Sequence, residues 1–196
     1  MDISELLNSP AGKSIVENMS AKLGMDKKQA TKAVNTAIPV ILGGLNRNAK
    51  TPEGAESLNR ALESKHDGSL LDNLSDILQG NSDELVKDGE GILGHVFGSD
   101  VNVVQKGIAQ KTGISLDKAG PLLSSLAPVV MAYLGKQKKQ TNAGAGGLGD
   151  LLGGLLSGVG TKKKQSGGIL GMITGLLDKD KDGSAIDDIL DMLTKK

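Results

Sequence analysis

The chain has 196 residues, 23 basic and 23 acidic side chains, no cysteine, and one phenylalanine and one tyrosine as its aromatic residues. The absence of cysteine excludes disulfide frameworks and thiolate metal sites. A core built without many aromatic side chains, from Leu, Ile, Val, Ala and Met, favours close helix packing over a β-sandwich, so we expect an all-α protein.

The N-terminal residues carry neither the basic segment nor the long apolar run of a secretory signal. No stretch of the chain reaches the 18 or so consecutive apolar residues that a transmembrane helix needs. We therefore expect a cytoplasmic protein.

Residues 15–47 align without a gap with residues 104–136. The shared register includes one glycine pair and one proline pair: Gly24 with Gly113, and Pro39 with Pro128. Because glycine and proline punctuate helices, each copy predicts a helix, a glycine stop, a capping residue and a second helix. The second helix of each copy is apolar on most sides and should be buried, and its proline should kink or break it. We predict two central kinked helices related by internal duplication.

Further helices are expected around this central pair. In the first copy a helix over residues 14–23 is followed by Asp26, which should cap the next helix with Gln29 at its third position; Ser115 holds the equivalent place in the second copy. Between the copies, helices are expected over residues 52–64, 69–78 and 91–97.

Three strings carry a family resemblance: AIPVILGGLNRN at residues 37–48, GILGHVFG at residues 91–98 and LAPVVM at residues 126–131. Together they resemble the bacterial domain-of-unknown-function family 937, a YidB-like helical family, over roughly residues 1–136. The resemblance implies a multihelical fold with buried central helices. It implies no activity, so no functional residues are carried over.

The chain has two histidines. His95, between Leu93 and Phe97 in an apolar segment, predicts a packed, hydrogen-bonded side chain, whereas His66, in a polar stretch, predicts a solvated loop residue. Their spacing does not indicate a zinc site, and the serines lack a histidine partner and an oxyanion-hole motif. The sequence therefore predicts a non-catalytic protein.

Residues 135–166 form a basic segment with six basic side chains and one acidic side chain. Two Gly-Leu blocks, residues 146–158 and 167–177, lie in and after it. Because glycine destabilises a helix by about 1 kcal/mol per residue relative to Ala, we interpret this region as a flexible linker. The alternative is docking against another copy, a partner or a membrane surface, with Lys162 to Lys164 supplying charge. Without aromatic stacking residues, specific nucleic-acid binding is not expected.

The C-terminal region contains the pattern of a calcium loop, in which carboxylates alternate and a glycine follows them. The candidate Ca²⁺ ligands are Asp178, Asp180, Asp182, Ser184, Asp187 and Asp188. The twelfth position is Ile189 where such loops carry Glu, so the loop would have to close early on an aspartate. The other interpretation is that residues 184–187 form a capping box for a helix over residues 185–193. The two interpretations are compatible.

We thus predict three parts: a duplicated all-helical domain (residues 1–136), a basic Gly-rich linker (137–167), and a C-terminal module with the aspartate loop and a short helix (168–196). The expected function is binding or self-association, with Ca²⁺ at the C-terminal loop. The alternative is a peripheral membrane or envelope-associated protein that docks through its basic Gly/Leu-rich segment.

Overall fold

The computed structural model describes residues 7–80 and 82–158. Every regular element in these ranges is an α-helix or a short 3₁₀-helix, and the described residues contain no strand. The predicted all-α class is confirmed.

The elements follow one another with short connections. The α-helices are α1 (Pro10–Lys22), α2 (Lys27–Asn48), α3 (Pro52–Ser64), α4 (Leu74–Gln79), α5 (Ser82–Phe97), α6 (Val101–Thr112), α7 (Leu116–Thr141) and α8 (Leu148–Gly158). Short 3₁₀-helices cover Ser69–Asn73, Gly98–Asp100 and Ala145–Gly147.

Side-chain caps fix where the first three helices begin. Ser9 accepts a hydrogen bond from the Gly12 amide at 3.1 Å, and the predicted Asp26 cap accepts from the Gln29 amide at 2.8 Å. Thr51 caps α3 in the same way. Such a cap satisfies a backbone donor that has no partner within the helix. Ser115 stands at the cap position of α7 with extended backbone, but its side chain makes no capping hydrogen bond.

Helices α2 and α7 form the centre of the core, as predicted. In α2 the core-facing side chains are fully buried. In α7 every residue from 122 to 135 is buried, whichever side of the helix it occupies. A helix apolar on all sides is stable only when other helices cover it, and here α2, α5 and α6 do so.

The two helix pairs share a connection of the same kind. Gly24 follows α1 with φ +56°, and Gly113 follows α6 with φ +78°. Glycine is favoured at both places because a residue with a Cβ is strained in this left-handed conformation. The duplication itself stays a prediction.

The prolines were predicted to kink or break these helices. A break is wrong, because α2 continues through Pro39 and α7 through Pro128, and the kink stays a prediction. Pro128 has no amide hydrogen, so the carbonyl of Ser124, four residues earlier, loses its helical donor. Gly89 of α5 lies against this carbonyl so closely that a Cβ at position 89 would overlap the oxygen. The Cα hydrogens of Gly89 thus face the carbonyl oxygen that lacks its helical donor.

The segments between the copies follow the predicted order with two differences. The stretch expected as one helix over residues 69–78 divides into a 3₁₀-helix and α4. The helix expected over residues 91–97 begins earlier, at Ser82.

The linker interpretation is wrong for residues 148–158, which form α8 and pack mainly against α2. The side chains of Leu148 and Leu152 are 0% exposed and that of Leu155 is 4% exposed. Burying a leucine contributes about 1.5 to 3 kcal/mol, which together offset a cost of about 1 kcal/mol for each glycine of α8. Residues 137–141 belong to α7. The three-part domain division as a whole stays a prediction.

Candidate interaction groove

The predicted calcium ligands, Asp178, Asp180, Asp182, Ser184, Asp187 and Asp188, lie outside the described residues. Among residues 7–80 and 82–158, no three His, Cys, Asp or Glu side chains are grouped so that they could hold a metal ion. The calcium site stays a prediction.

A groove lies on the surface where α5, α6 and α7 meet; we call it the α5–α7 groove. From α5 it is lined by Val86, Glu90 and Leu93. From α6 it is lined by Val101 and Gln105.

The third wall of the α5–α7 groove comes from Gly120, Pro121 and Ser124 of α7. Gly120 offers no side chain, and a Cβ built there would lie 3.3 Å from the Gln105 amide nitrogen. Small residues on α7 therefore leave the space that the apolar side chains of α5 and α6 surround.

The α5–α7 groove contains a cavity of about 180 Å³. Sites for small-molecule ligands usually measure about 300 to 1,000 Å³. The cavity is therefore better matched to a protruding side chain of another protein surface than to a drug-sized ligand.

Leu116, the first residue of α7, is the one exposed large apolar side chain in the described part of the chain, at 47% exposed. It lies one helical turn before Gly120, on the same face of α7, because residues four apart in a helix are neighbours. An apolar side chain and an apolar cavity thus share one surface.

Charged side chains of opposite sign lie on the two helices that, with α7, form this surface. Glu90 on α5 and Lys106, the residue after Gln105 on α6, are both exposed. Neither is among the ion pairs that the described residues form. Beside Leu116, Asp117 has a lowered pKa, chiefly because its carboxylate is hydrogen-bonded to Ser115.

Sequence reasoning did not identify Leu116, although the internal alignment contains a signal. At the offset that pairs the two copies, Leu116 takes the place of Lys27. The Lys27 side chain is 72% exposed. At this aligned position the first segment thus carries an exposed lysine and the second an exposed leucine.

The structure contradicts the prediction for His66, and for His95 it contradicts the packing but confirms the hydrogen bond. His66, expected in a solvated loop, is 5% exposed, and its carbonyl oxygen lies against Gly135 of α7, where a Cβ would overlap it. His95, expected to be packed, is exposed, although its Nδ1 lies 2.9 Å from the carbonyl oxygen of Gly91.

His66 is the buried titratable side chain with the clearest electrostatic consequence. Its Nε2 lies 3.7 Å from an oxygen of Asp88, and its buried Nδ1 has no hydrogen-bond partner. Burial lowers the pKa of His66; the Asp88 carboxylate opposes this shift and Lys65 adds to it. The neutral imidazole is therefore favoured in the folded state.

Part of the predicted basic segment is neutralised within the fold. Lys138 pairs with Glu63 at 2.7 Å and Lys139 with Asp67 at 2.9 Å. Lys136 lies 3.8 Å from Asp72. These hydrogen-bonded lysines lower the pKa values of Glu63 and Asp67. The lysines at the end of α7 are therefore paired with the end of α3 and with the segment after it, and their charge is partly compensated.

No helix in the described part of the chain combines the length and the apolar character that crossing a bilayer requires. The cytoplasmic location stays a prediction.

Comparison with family models identifies the family of the chain. The model of a family described as a bacterial protein of unknown function (DUF937) matches residues 5–137, which include α2, most of α7 and all the residues that line the α5–α7 groove. This confirms the family resemblance seen in the sequence, although the match does not test the YidB-like label. No curated protein and no solved structure matches the chain.

Proposed function

Because the chain belongs to DUF937, a family of bacterial proteins of unknown function, we propose a function from its surface: it self-associates through the α5–α7 groove. The observation that carries the proposal is the position of Leu116, an exposed apolar side chain one turn from an apolar cavity of side-chain size. The partner is a second copy of the chain.

A surface that carries both a protruding side chain and a matching cavity suits a twofold symmetric contact. In such a contact the same patch is used by both copies, so Leu116 of each copy can enter the groove of the other. The flanking charges support the same partner, because a twofold arrangement can oppose Glu90 of one copy and Lys106 of the other. Burial of each of the two leucines contributes about 1.5 to 3 kcal/mol, against an association cost of about 4 to 15 kcal/mol, so the expected association is weak and dependent on concentration.

Sedimentation velocity over a wide range of protein concentration tests the proposal. We expect the weight-average mass to rise with concentration for the native chain and to stay near that of the monomer for Leu116→Lys. The lysine copies the residue that occupies the aligned position in the first copy, so the helix should tolerate it.

A charge exchange provides the matched control. Glu90→Lys and Lys106→Glu should each weaken association, because each places like charges together, and the double variant should restore it. A native chain that stays monomeric at every concentration would contradict the proposal. So would association that Leu116→Lys leaves unchanged, since another surface or another partner would then be responsible.

We further propose that the C-terminal loop binds Ca²⁺ through Asp178, Asp180, Asp182, Ser184 and either Asp187 or Asp188. Alternating carboxylates before a glycine support this proposal. Calorimetric titration of the full chain with Ca²⁺ should show saturable binding that Asp180→Ala removes. Asp150→Ala, which removes an exposed carboxylate of α8, should leave it unchanged. Binding that survives Asp180→Ala, or no binding at millimolar Ca²⁺, would end the calcium proposal.

The alternative function, docking on a membrane surface, rests on the remaining lysines of the basic segment. Lys136, Lys138 and Lys139 are already paired with acidic residues, which leaves Lys162, Lys163 and Lys164 for anionic lipid. Cosedimentation with vesicles rich in anionic lipid separates the two functions. Pelleting that replacement of these three lysines by glutamine abolishes would favour the membrane.

A further inference from the structure

Helix α8 depends on its contacts more than on its own sequence. Its apolar positions Leu148, Leu152 and Leu155 follow the spacing of one helix face and are buried. Four of its 11 residues are glycine, the least favourable residue in a helix interior apart from proline. The surface of α2 and α3 that these three leucines cover, which we call the α8 seat, therefore holds the segment in helical form.

The chain contains a second segment with the same pattern. Residues 146–156 align without a gap with residues 167–177, so that the leading glycine pair of each block matches. The three buried positions of α8 all align with large apolar residues: Leu148 with Ile169, Leu152 with Ile173, and Leu155 with Leu176. The half-buried Leu151 and Leu156 align with Met172 and Leu177.

The exposed residues Asp150 and Gly154 align with Gly171 and Gly175. Two positions differ in character, because Gly149 and Gly153 align with Leu170 and Thr174. A Cβ at position 149 or 153 meets no atom within 4 Å, so the seat has room for both side chains. Between residues 169 and 177 there are two glycines, against three between residues 148 and 156. By its glycine content, the second block is thus at least as able to form a helix as α8.

We propose that residues 169–177 are an alternative occupant of the α8 seat, able to replace α8 on the same molecule. The surface of α2 and α3 then has two competing ligands on one chain, and the structure described here is the state in which α8 is bound.

The connection to the core permits this exchange. Six residues, 142–147, lead from the end of α7 to the start of α8, whereas 27 residues, 142–168, would lead to Ile169. The longer connection spans any distance that the shorter one spans, and the entropic cost of closing a loop rises only logarithmically with its length.

The exchange changes what the domain presents next to the α8 seat. With α8 bound, Leu156 is followed by Ser157 and Gly158. With residues 169–177 bound, Leu177 occupies the place of Leu156 and is followed by Asp178, so the aspartate loop lies directly beside the domain. The first Gly-Leu block is then released.

Thiol reactivity tests the exchange in the full-length chain, which has no cysteine of its own. A single cysteine is introduced as Ile173→Cys, and its reaction with a disulfide reagent is followed with and without Leu152→Asp, which removes α8 from its seat. We expect Leu152→Asp to slow the reaction about tenfold, because residues 169–177 then spend most of their time buried. Gly171→Cys, at the place that aligns with exposed Asp150, should react equally fast in both backgrounds.

Urea unfolding supplies a second measurement. Ile173→Asp alone should leave the midpoint unchanged, Leu152→Asp should lower it slightly, and the double variant should lower it by more than the sum of the two. Leu152→Ala serves in both measurements if the aspartate variant does not fold. Additive midpoints together with an unchanged reactivity at position 173 would overturn the proposal. Protection at position 173 that grows with protein concentration would also overturn it, because residues 169–177 of one molecule would then bind the α8 seat of another.

Discussion

Helices α7 and α8 reach the same state, a helix with buried leucines, by opposite routes. Helix α7 is covered by α2, α5 and α6, and all its residues from 122 to 135 are buried. Helix α8 is glycine-rich and is held along one row of leucines. The difference shows that burial of single residues does not measure how firmly a helix belongs to a fold. What counts is whether the helix can leave without uncovering the rest.

The largest expected effect on stability comes from replacing a buried leucine by alanine, and it should differ between α7 and α8. Leu126 of α7 and Leu152 of α8 are both 0% exposed. We expect Leu126→Ala to lower the free energy of unfolding by about 2 to 5 kcal/mol. Leu152→Ala should lower it by less, because the loss cannot exceed the free energy with which α8 docks. Urea unfolding followed by circular dichroism measures both values. Equal losses would mean that α8 is as integral to the core as α7.

The next effect concerns the close contact between α5 and α7. A methyl group at position 89 would overlap the carbonyl oxygen of Ser124. We expect Gly89→Ala to cost about 1 to 3 kcal/mol, as overpacking in a core usually does. Gly91→Ala is the matched control on the same helix, since a Cβ there meets no atom within 4 Å. A neutral Gly89→Ala would show that α5 can shift away from α7 freely.

A smaller effect is the pH dependence of stability that His66 causes. His66 lies in the loop that packs against Gly135 of α7. Burial lowers the pKa of His66 in the folded state, whereas an unfolded histidine titrates near about 6.5. The unfolded state therefore binds more protons, and stability falls as pH drops below about 6.5 towards the lower folded pKa. Burial is the main cause of the shift, and the Asp88 carboxylate, which opposes it, and Lys65, which adds to it, change how far the fall extends to low pH.

Urea midpoints measured between pH 7.5 and 5 should decrease for the native chain, and His66→Gln should flatten this dependence. The exposed His95 provides the control, because the urea midpoint of His95→Gln should decrease with pH as it does in the native chain. The carboxylates Glu63 and Asp67, whose pKa values are lowered, stay ionised in this range. A profile that is the same with and without His66 would show that water reaches the ring freely.

The smallest expected effect is a gain in the stability of α8. Gly154 of α8 is exposed, and a Cβ there meets no atom within 4 Å. Gly154→Ala should stabilise α8 by up to about 1 kcal/mol, because it restores helix propensity and adds no clash. Hydrogen exchange of the α8 amides should slow, while exchange in α7 stays the same. Slower exchange in both helices would mean that they open together.

Local signals were sufficient to predict much of the fold. The Asp26 cap, the Thr51-Pro52 helix start and the glycine stops at Gly24 and Gly113 all act within a few residues, so the sequence alone reveals them. The apolar character of α2 and α7 on most sides likewise predicted their burial.

The wrong predictions concern residues whose state is decided by distant contacts. Pro128 lies inside a continuous α7, and the carbonyl that loses its helical donor there lies against Gly89, far away in sequence. Residues 148–158 are helical because α2 and α3 offer a seat for their leucines. His66 is buried because its loop packs against Gly135. In each case the deciding partner lies on another element, and no local pattern indicates it.

The candidate groove shows the same limit. Its walls come from three helices, so its existence depends on how α5, α6 and α7 are placed around Gly120. Sequence analysis identified neither the groove nor Leu116, and the one signal that could have pointed to Leu116 is its alignment with Lys27.

The lysines at the end of α7 have a further consequence, for the response of the molecule to salt. Glu63, Asp67 and the lysines that pair with them stand at the surface, except for the largely covered Lys138, and exposed ion pairs are screened as ionic strength rises. The leucine contacts of the core are not weakened in this way. Raised salt should therefore weaken the contacts between the end of α7 and the acidic residues beside it while the core stays packed. Ionic strength would then act first on the point at which the residues after 141 are attached to the domain.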